Sequence, residues 1–208
     1  MENRKQELKE HWERVIEKLY TDKNYLRSYL NFCGKFFKVP AAETMLIFSQ
    51  NPAAEMIADN QTWAKFGRNA RPSEKGIVVF DENRKPNERE INSFTVRYDI
   101  SQTNGKVIPA QWSVDKESAR SFTAEINSRL GTDYKGLSSV IIRLSRDNLS
   151  RKIPEICEKL GISENKQEAF SKSLLSMVSK AVAARFQHKS PYHYNDKNAP
   201  LDLTAVSM

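Results

Sequence analysis

Between Trp63 and Lys75 the chain sets Lys65, Arg68, Arg71 and Lys75 against a single acid, Glu74, with Trp63 and Phe66 alongside. Cations spaced through a loop neutralise backbone phosphates, and an aromatic face beside them takes an unpaired base by stacking. The chemistry on offer is therefore polyanion binding, with the four cations on phosphates and Trp63 or Phe66 as platform. The competing reading is a solvated loop, with Trp63 on the core side of its helix. A second set, Arg143, Arg146, Arg151 and Lys152 around Asp147, puts Arg143 and Arg146 one turn apart on a helix. It is the other candidate nucleic-acid surface, and a solvated face broken by one acid is its rival.

Catalytic chemistry finds no such footing. His188 and His193 are five residues apart, beyond one helical turn, with no cysteine or paired acid at ligand spacing, so no metal site is expected. His11 falls among charged residues of an amphipathic helix and is read as exposed. HExxH, GxxxxGK[ST], GxGxxG and GxSxG are all missing. Nothing positions Cys157 against His188, and Glu7 with Glu10 or Glu155 with Glu158 read as exposed pairs on helix faces. No catalytic residue, metal or cofactor is expected, and the protein is read as a binder rather than an enzyme.

The elements that hold these residues follow from hydrophobic spacing. Leu8, Trp12, Val15, Ile16 and Leu19 recur at helical intervals and predict a helix over Arg4 to Tyr20. Thr21 and Asp22 offer a cap for a second helix, Lys23 to Phe36. Pro40 opens a third that ends at Pro52, and a short fourth runs from Asn60 to Phe66. The period then changes to two. Ile77 to Phe80 is an apolar strand, and Phe94, Val96, Tyr98 and Ile100 alternate with polar residues as in a half-buried one. Asp81 to Glu90 reads as a loop. Asn104-Gly105 is a turn signal leading to an irregular or edge segment, Val107 to Val114, which contains Pro109. Helices return from Asp115 to Gly131, Leu137 to Asn148, Ile153 to Leu160 and Lys166 to Phe186. Beyond Gln187 the sequence reads as an extended tail containing Tyr192, His193 and Tyr194.

The fold class expected is α+β, with helices enclosing a small antiparallel sheet. At 208 residues and 39% hydrophobic content, the chain can bury a core. The organisation expected is one domain over 1–187 and a flexible tail over 188–208. The formal charge of +7 favours polyanion partners. Cys33 and Cys157, far apart on predicted helices, suit a reduced intracellular setting. The charged Glu2 to Glu10 segment lacks an apolar run behind it, and no stretch approaches the roughly 18 apolar residues of a membrane span. No membrane partner is expected, and a cytoplasmic location is.

A further set of residues carries a family likeness: Ile47, Phe48, Ser49, Gln50, Asn51 and Pro52, then Trp63, Gly67 and Arg68, then Glu74, Lys75, Gly76 and Ile77. Together they resemble the N-terminal single-stranded-DNA-binding domain of the ArdC antirestriction proteins, and more closely the related domain that opens very large proteins of Gram-positive conjugative elements. Weaker similarity continues through Tyr98 to Thr103 and the helix from Glu168 to Arg185, so the likeness spans roughly residues 5 to 187 and is specific in its first third. One departure is Ser73, preceded by Pro72, where the family usually has a glycine. The likeness implies a mobile-element protein that binds DNA, single strands preferentially, and counteracts host defence in the antirestriction manner. The metalloprotease-like half of ArdC is not matched. An anti-CRISPR-type inhibitor acting on a host defence nuclease or its nucleic-acid complex, or a module of a larger conjugative-transfer protein, remains open. Because Arg68 and Arg71 fall beyond the predicted Trp63 helix, removing either is expected to cost about 0.5 kcal/mol or less.

Overall fold

The computed structural model describes residues 2–36, 38–80, 94–108 and 116–186, with side chains from residue 6 onward. The chain is α+β, and its contacts divide into two compact units. Unit 1 comprises Met1–Tyr29 and Phe36–Gln111, and unit 2 comprises Leu30–Lys35 and Trp112–Met208. This division is finer than the single domain read over 1–187, because composition carries no mark of where contacts thin out. The expected Asp81 to Glu90 loop, most of Val107 to Val114 and the tail from residue 188 lie outside the described residues.

In unit 1, α1 (Glu2–Thr21) buries Leu8, Val15 and Leu19, which its spacing places on one face. Asp22 then caps α2 (Lys23–Cys33), whose residues from Leu30 on belong to unit 2, the Asp22 Oδ1 accepting the Asn24 and Tyr25 N–H groups at 2.8 and 3.0 Å. The helix stops three residues short of the expected Phe36, where Lys35 N–H turns back to Phe32 O at 2.9 Å. Pro40 precedes α3 (Ala41–Gln50), whose Leu46, Ile47 and Phe48 are buried, and α3 packs on α1. Tyr25 and Tyr29 close over Phe48 with ring centroids 4.9 and 5.6 Å away.

The sheet beneath α3 has three antiparallel strands: β1 (Ile57–Ala58), the central β4 (Phe94–Asp99) and β3 (Ile77–Phe80). Ile77 faces Arg97 and Phe80 faces Phe94 in the ladder. β3 is apolar because Ile77, Val78 and Val79 are all buried, with α3 packed against the strand. Its outer edge meets Gln50, whose side-chain amide donates to Val78 O at 2.8 Å and accepts Val78 N–H at 2.9 Å. A second, two-stranded sheet joins β2 (Arg68–Ala70) to β5 (Thr103–Gly105). Asn104-Gly105 is thus in a strand and not in the reversal its sequence suggests. Gly105 has φ of 142°, and a Cβ there would come within 2.2 Å of Gly67 O, so its freedom serves a close backbone approach.

In unit 2, α5 (Lys116–Leu130) and α7 (Glu164–Arg185) pack against α6 (Leu137–Lys159). Leu137, Val140 and Ile141 meet Ala119 and Ala183 in its core. The two helices expected on either side of Arg151 are one: α6 runs unbroken through Pro154. Proline removes one i→i−4 bond, here to Ser150 O, at a helix-interior cost of about 3 kcal/mol. Apolar and small residues nevertheless keep a single phase from Leu137 through Ile141, Ser145 and Leu149 to Ile153, Ile156 and Cys157, so packing overrides the break.

Candidate nucleic-acid interface

The basic segment is a short helix followed by a strand. Asp59 caps α4 (Asn60–Lys65) by accepting the Thr62 N–H at 2.7 Å. That bond from the Thr62 N–H chiefly, and the nearby Arg97 charge to a lesser degree, hold the Asp59 carboxyl below its ordinary value. Trp63 on this helix is 3% exposed, and its indole N–H donates to Tyr98 O at 2.8 Å, tying α4 to β4. It therefore offers no open face, whereas Phe66, at the helix end, is 57% exposed. Gly67 follows in the left-handed region at φ of 69° and turns the chain into β2.

The four cations meet different fates. Arg68 spreads its guanidinium over neutral acceptors: Nε to Thr103 Oγ1 at 2.8 Å, Nη2 to Thr103 O at 2.9 Å, and Nη1 to Lys106 O. It clamps β2 to β5 while its charge stays uncancelled by any acid among these bonds. Arg71 pairs with Glu74, and that guanidinium, followed by the Gln102 amide, holds the Glu74 carboxyl below its usual value. Pro72 and Ser73 fill the turn between them, closed by Glu74 N–H to Arg71 O at 3.0 Å. Lys65 and Lys75 are exposed. Lys106, which sequence reasoning passed over, joins them: its N–H donates to Gly67 O at 3.1 Å, and its stem lies 2.9 Å from where a Gly67 Cβ would stand. The signal for it lay in the β2–β5 pairing, which local sequence does not display.

Arg68 is consequently not the disposable surface cation expected. Arg68→Ala should cost about 2 kcal/mol, since Thr103 Oγ1 and several carbonyls lose a charged donor. Arg71→Ala, on a half-exposed ion pair, should cost under about 1 kcal/mol. Urea titrations of the two single variants check this, and equal midpoints would refute the clamp.

The second set lies on α6 in unit 2. Arg143 pairs with Asp147 at 2.9 Å and Lys152 with Glu155 at 3.4 Å. Arg146 and Arg151 are exposed and have no ion pair among the described residues. At about 100° per residue, the helix spreads these four around its circumference rather than gathering them.

Tyr98 to Thr103 is a structural network. Asp99, 1% exposed, accepts Glu55 N–H at 2.7 Å and Met56 N–H at 3.1 Å on one oxygen, and Ser101 N–H at 2.9 Å and the Ser101 hydroxyl on the other. Gln102 Oε1 accepts Asp99 N–H at 3.0 Å. His11, expected to be exposed, is half-buried, and burial first, then Arg14, lowers its imidazole below the ordinary value.

Among the described residues no group of His, Cys, Asp and Glu could hold a metal ion, and no helix is long and apolar enough to cross a membrane. Along the chain one exposed aromatic, Phe66, stands between the exposed Lys65 and Gly67, which meets Lys106, and Arg68 follows. No protein-family model, curated protein or solved structure matches the chain.

Proposed function

We propose that the chain is a non-catalytic nucleic-acid-binding protein that prefers single-stranded DNA and serves a mobile genetic element against host defence. The observation that carries this reading is the exposed Phe66 ring at the end of α4, preceded in the chain by the exposed Lys65 and followed by Gly67, against which the Lys106 stem lies, and by the clamped Arg68. A base stacks on Phe66, and the lysines neutralise the flanking phosphates. Stacking needs an unpaired base, so single strands bind more tightly than duplex of equal length. The role in host-defence evasion draws on the resemblance to the ArdC N-terminal domain.

The test is fluorescence anisotropy with single- and double-stranded oligonucleotides of one length across a salt series. Phe66→Ala should weaken single-strand binding by about 1–3 kcal/mol and narrow the strand preference. Lys65→Ala with Lys106→Ala should make the logarithmic salt slope shallower by about 0.7 per lost contact on single strands. Affinity that is indifferent to Phe66 and equal for both strand forms would remove the stacking reading. Inhibition of a host nuclease that survives the loss of DNA binding would move the target to the nuclease.

A further inference from the structure

Unit 2 contains a cavity of about 480 Å³ where α5 meets the start of α6. Lys116, Arg120 and Lys135 line it, and among the described residues no carboxylate does. Lys116 and Arg120 have no ion pair among the described residues. Lys135 reaches Asp133 at 3.5 Å, but both side chains are almost fully exposed, so water screens that contact.

The wall between the helices is fixed by Asn127. Its Oδ1 accepts the Thr132 hydroxyl and the Tyr134 N–H, each at 2.9 Å, and its Nδ2 donates to Tyr134 O at 2.9 Å. Gly136, at the cap position of α6, supplies no side-chain acceptor. Ser139 and Val140 N–H turn to Gly136 O at 3.0 and 3.3 Å, while the Leu137 and Ser138 N–H groups have no acceptor among the described residues. Three cations on one cavity, a braced wall, two open N–H groups and the Ser138 hydroxyl are complementary to a tetrahedral oxyanion. The volume lies within the roughly 300–1,000 Å³ of small-molecule sites, which leaves room for more than an inorganic anion.

We propose that this cavity binds the phosphate of a nucleotide: Arg120 forks onto two oxygens, the Leu137 and Ser138 N–H groups donate to the phosphate, and Lys116 and Lys135 balance the remaining charge. The site goes beyond the strand-binding surface and does not rest on it. The phosphate can come from a free nucleotide or from the 5′ end of a strand.

The test is calorimetry on the full chain with inorganic phosphate, deoxyadenosine monophosphate and deoxyadenosine. Competition by oligonucleotides with and without a 5′-phosphate follows. Deoxyadenosine monophosphate should bind about ten-fold or more tightly than deoxyadenosine, and Arg120→Ala should remove most of that difference. The second variant is Gly136→Asp. Gly136 has extended backbone at φ of 177°, and a Cβ there meets nothing within 4 Å, so aspartate is accommodated. Its carboxylate would accept the Ser138 N–H itself and repel phosphate, leaving the melting temperature equal or higher. Loss of nucleotide binding in this folded variant, with Phe66→Ala unaffected, supports the site. A 5′-phosphorylated strand that outcompetes its 5′-hydroxyl counterpart assigns the phosphate to a strand end, and equal competition by the two assigns it to a free nucleotide. Absence of binding by phosphate and nucleotide at millimolar concentration, or binding that Gly136→Asp leaves unchanged, overturns the proposal.

Discussion

Replacing Asp99 with alanine is expected to cost about 4 kcal/mol, an effect at the upper end of what a single substitution does to a domain. Asp99 is 1% exposed, and its carboxylate accepts four hydrogen bonds, three of them from backbone N–H groups. Hydrogen bonds to a charged acceptor are worth about 1.5–3 kcal/mol each but share one desolvation cost, so the total is less than their sum. The bonds to Glu55 and Met56 fix the segment that leads into β1, and those to Ser101 fix the turn that leads into β5. Asp99→Asn keeps one accepting oxygen and should cost about half as much. Because the two units need not unfold in one transition, the decisive measurement is amide hydrogen exchange at Glu55, Met56 and Ser101. Protection of these amides in Asp99→Ala equal to the parent's would refute the argument.

Arg97→Ala should be comparably damaging, at about 3–5 kcal/mol. The guanidinium, 14% exposed, lies 3.3 Å from Glu43 Oε1 and 3.2 Å from Asp59 Oδ2, joining β4 to α3 and to the cap of α4. Glu43 is 9% exposed along its side chain, so removing the cation leaves an anion where water cannot solvate it well. The variant also changes the response to acid. The lowered value of Asp59 means that the folded form binds fewer protons than the unfolded one through the carboxylate range. The stability this contributes is complete above the ordinary carboxylate value near pH 4 and is lost as pH falls through the lowered one. Without Arg97 the lowering is smaller, so acid unfolding of the variant should begin at a higher pH. Circular dichroism across a pH series reads both effects, and Glu43→Gln added to Arg97→Ala should recover part of the loss. A variant that tracks the parent in urea and in acid would show the pair to be dispensable.

What the sequence displayed and what it concealed divide along the range of the forces involved. The apolar spacing of Leu8, Val15 and Leu19, the Asp22 cap and the run from Ile77 to Phe80 are local signals, and α1, α2 and β3 lie where these put them. β2 is three residues, one cationic, one polar and one small, with no alternation to read. It is a strand because Thr103 to Gly105, about 35 residues away, pairs with it, and such a partner leaves no trace in Arg68 to Ala70 itself. The same distance hid the fate of Arg68, whose acceptors all lie in the Ile100 to Lys106 stretch. In α6, Pro154 is a strong local stop that the tertiary partner α7 overrode. Cations were legible as charges, but whether each was a clamp, an ion pair or a free contact depended on neighbours supplied by the fold.

The Gln50 side chain has a consequence for the company the protein keeps. A sheet whose outermost strand shows bare amide and carbonyl groups is a template on which a second molecule can continue the ladder. β3 is the outermost strand on its side among the described residues, and its apolar composition is one that self-association favours. By occupying Val78 with an amide that mimics one peptide unit, Gln50 ends the ladder within the molecule, so a single glutamine at the close of α3 helps keep neighbouring copies from joining edge to edge.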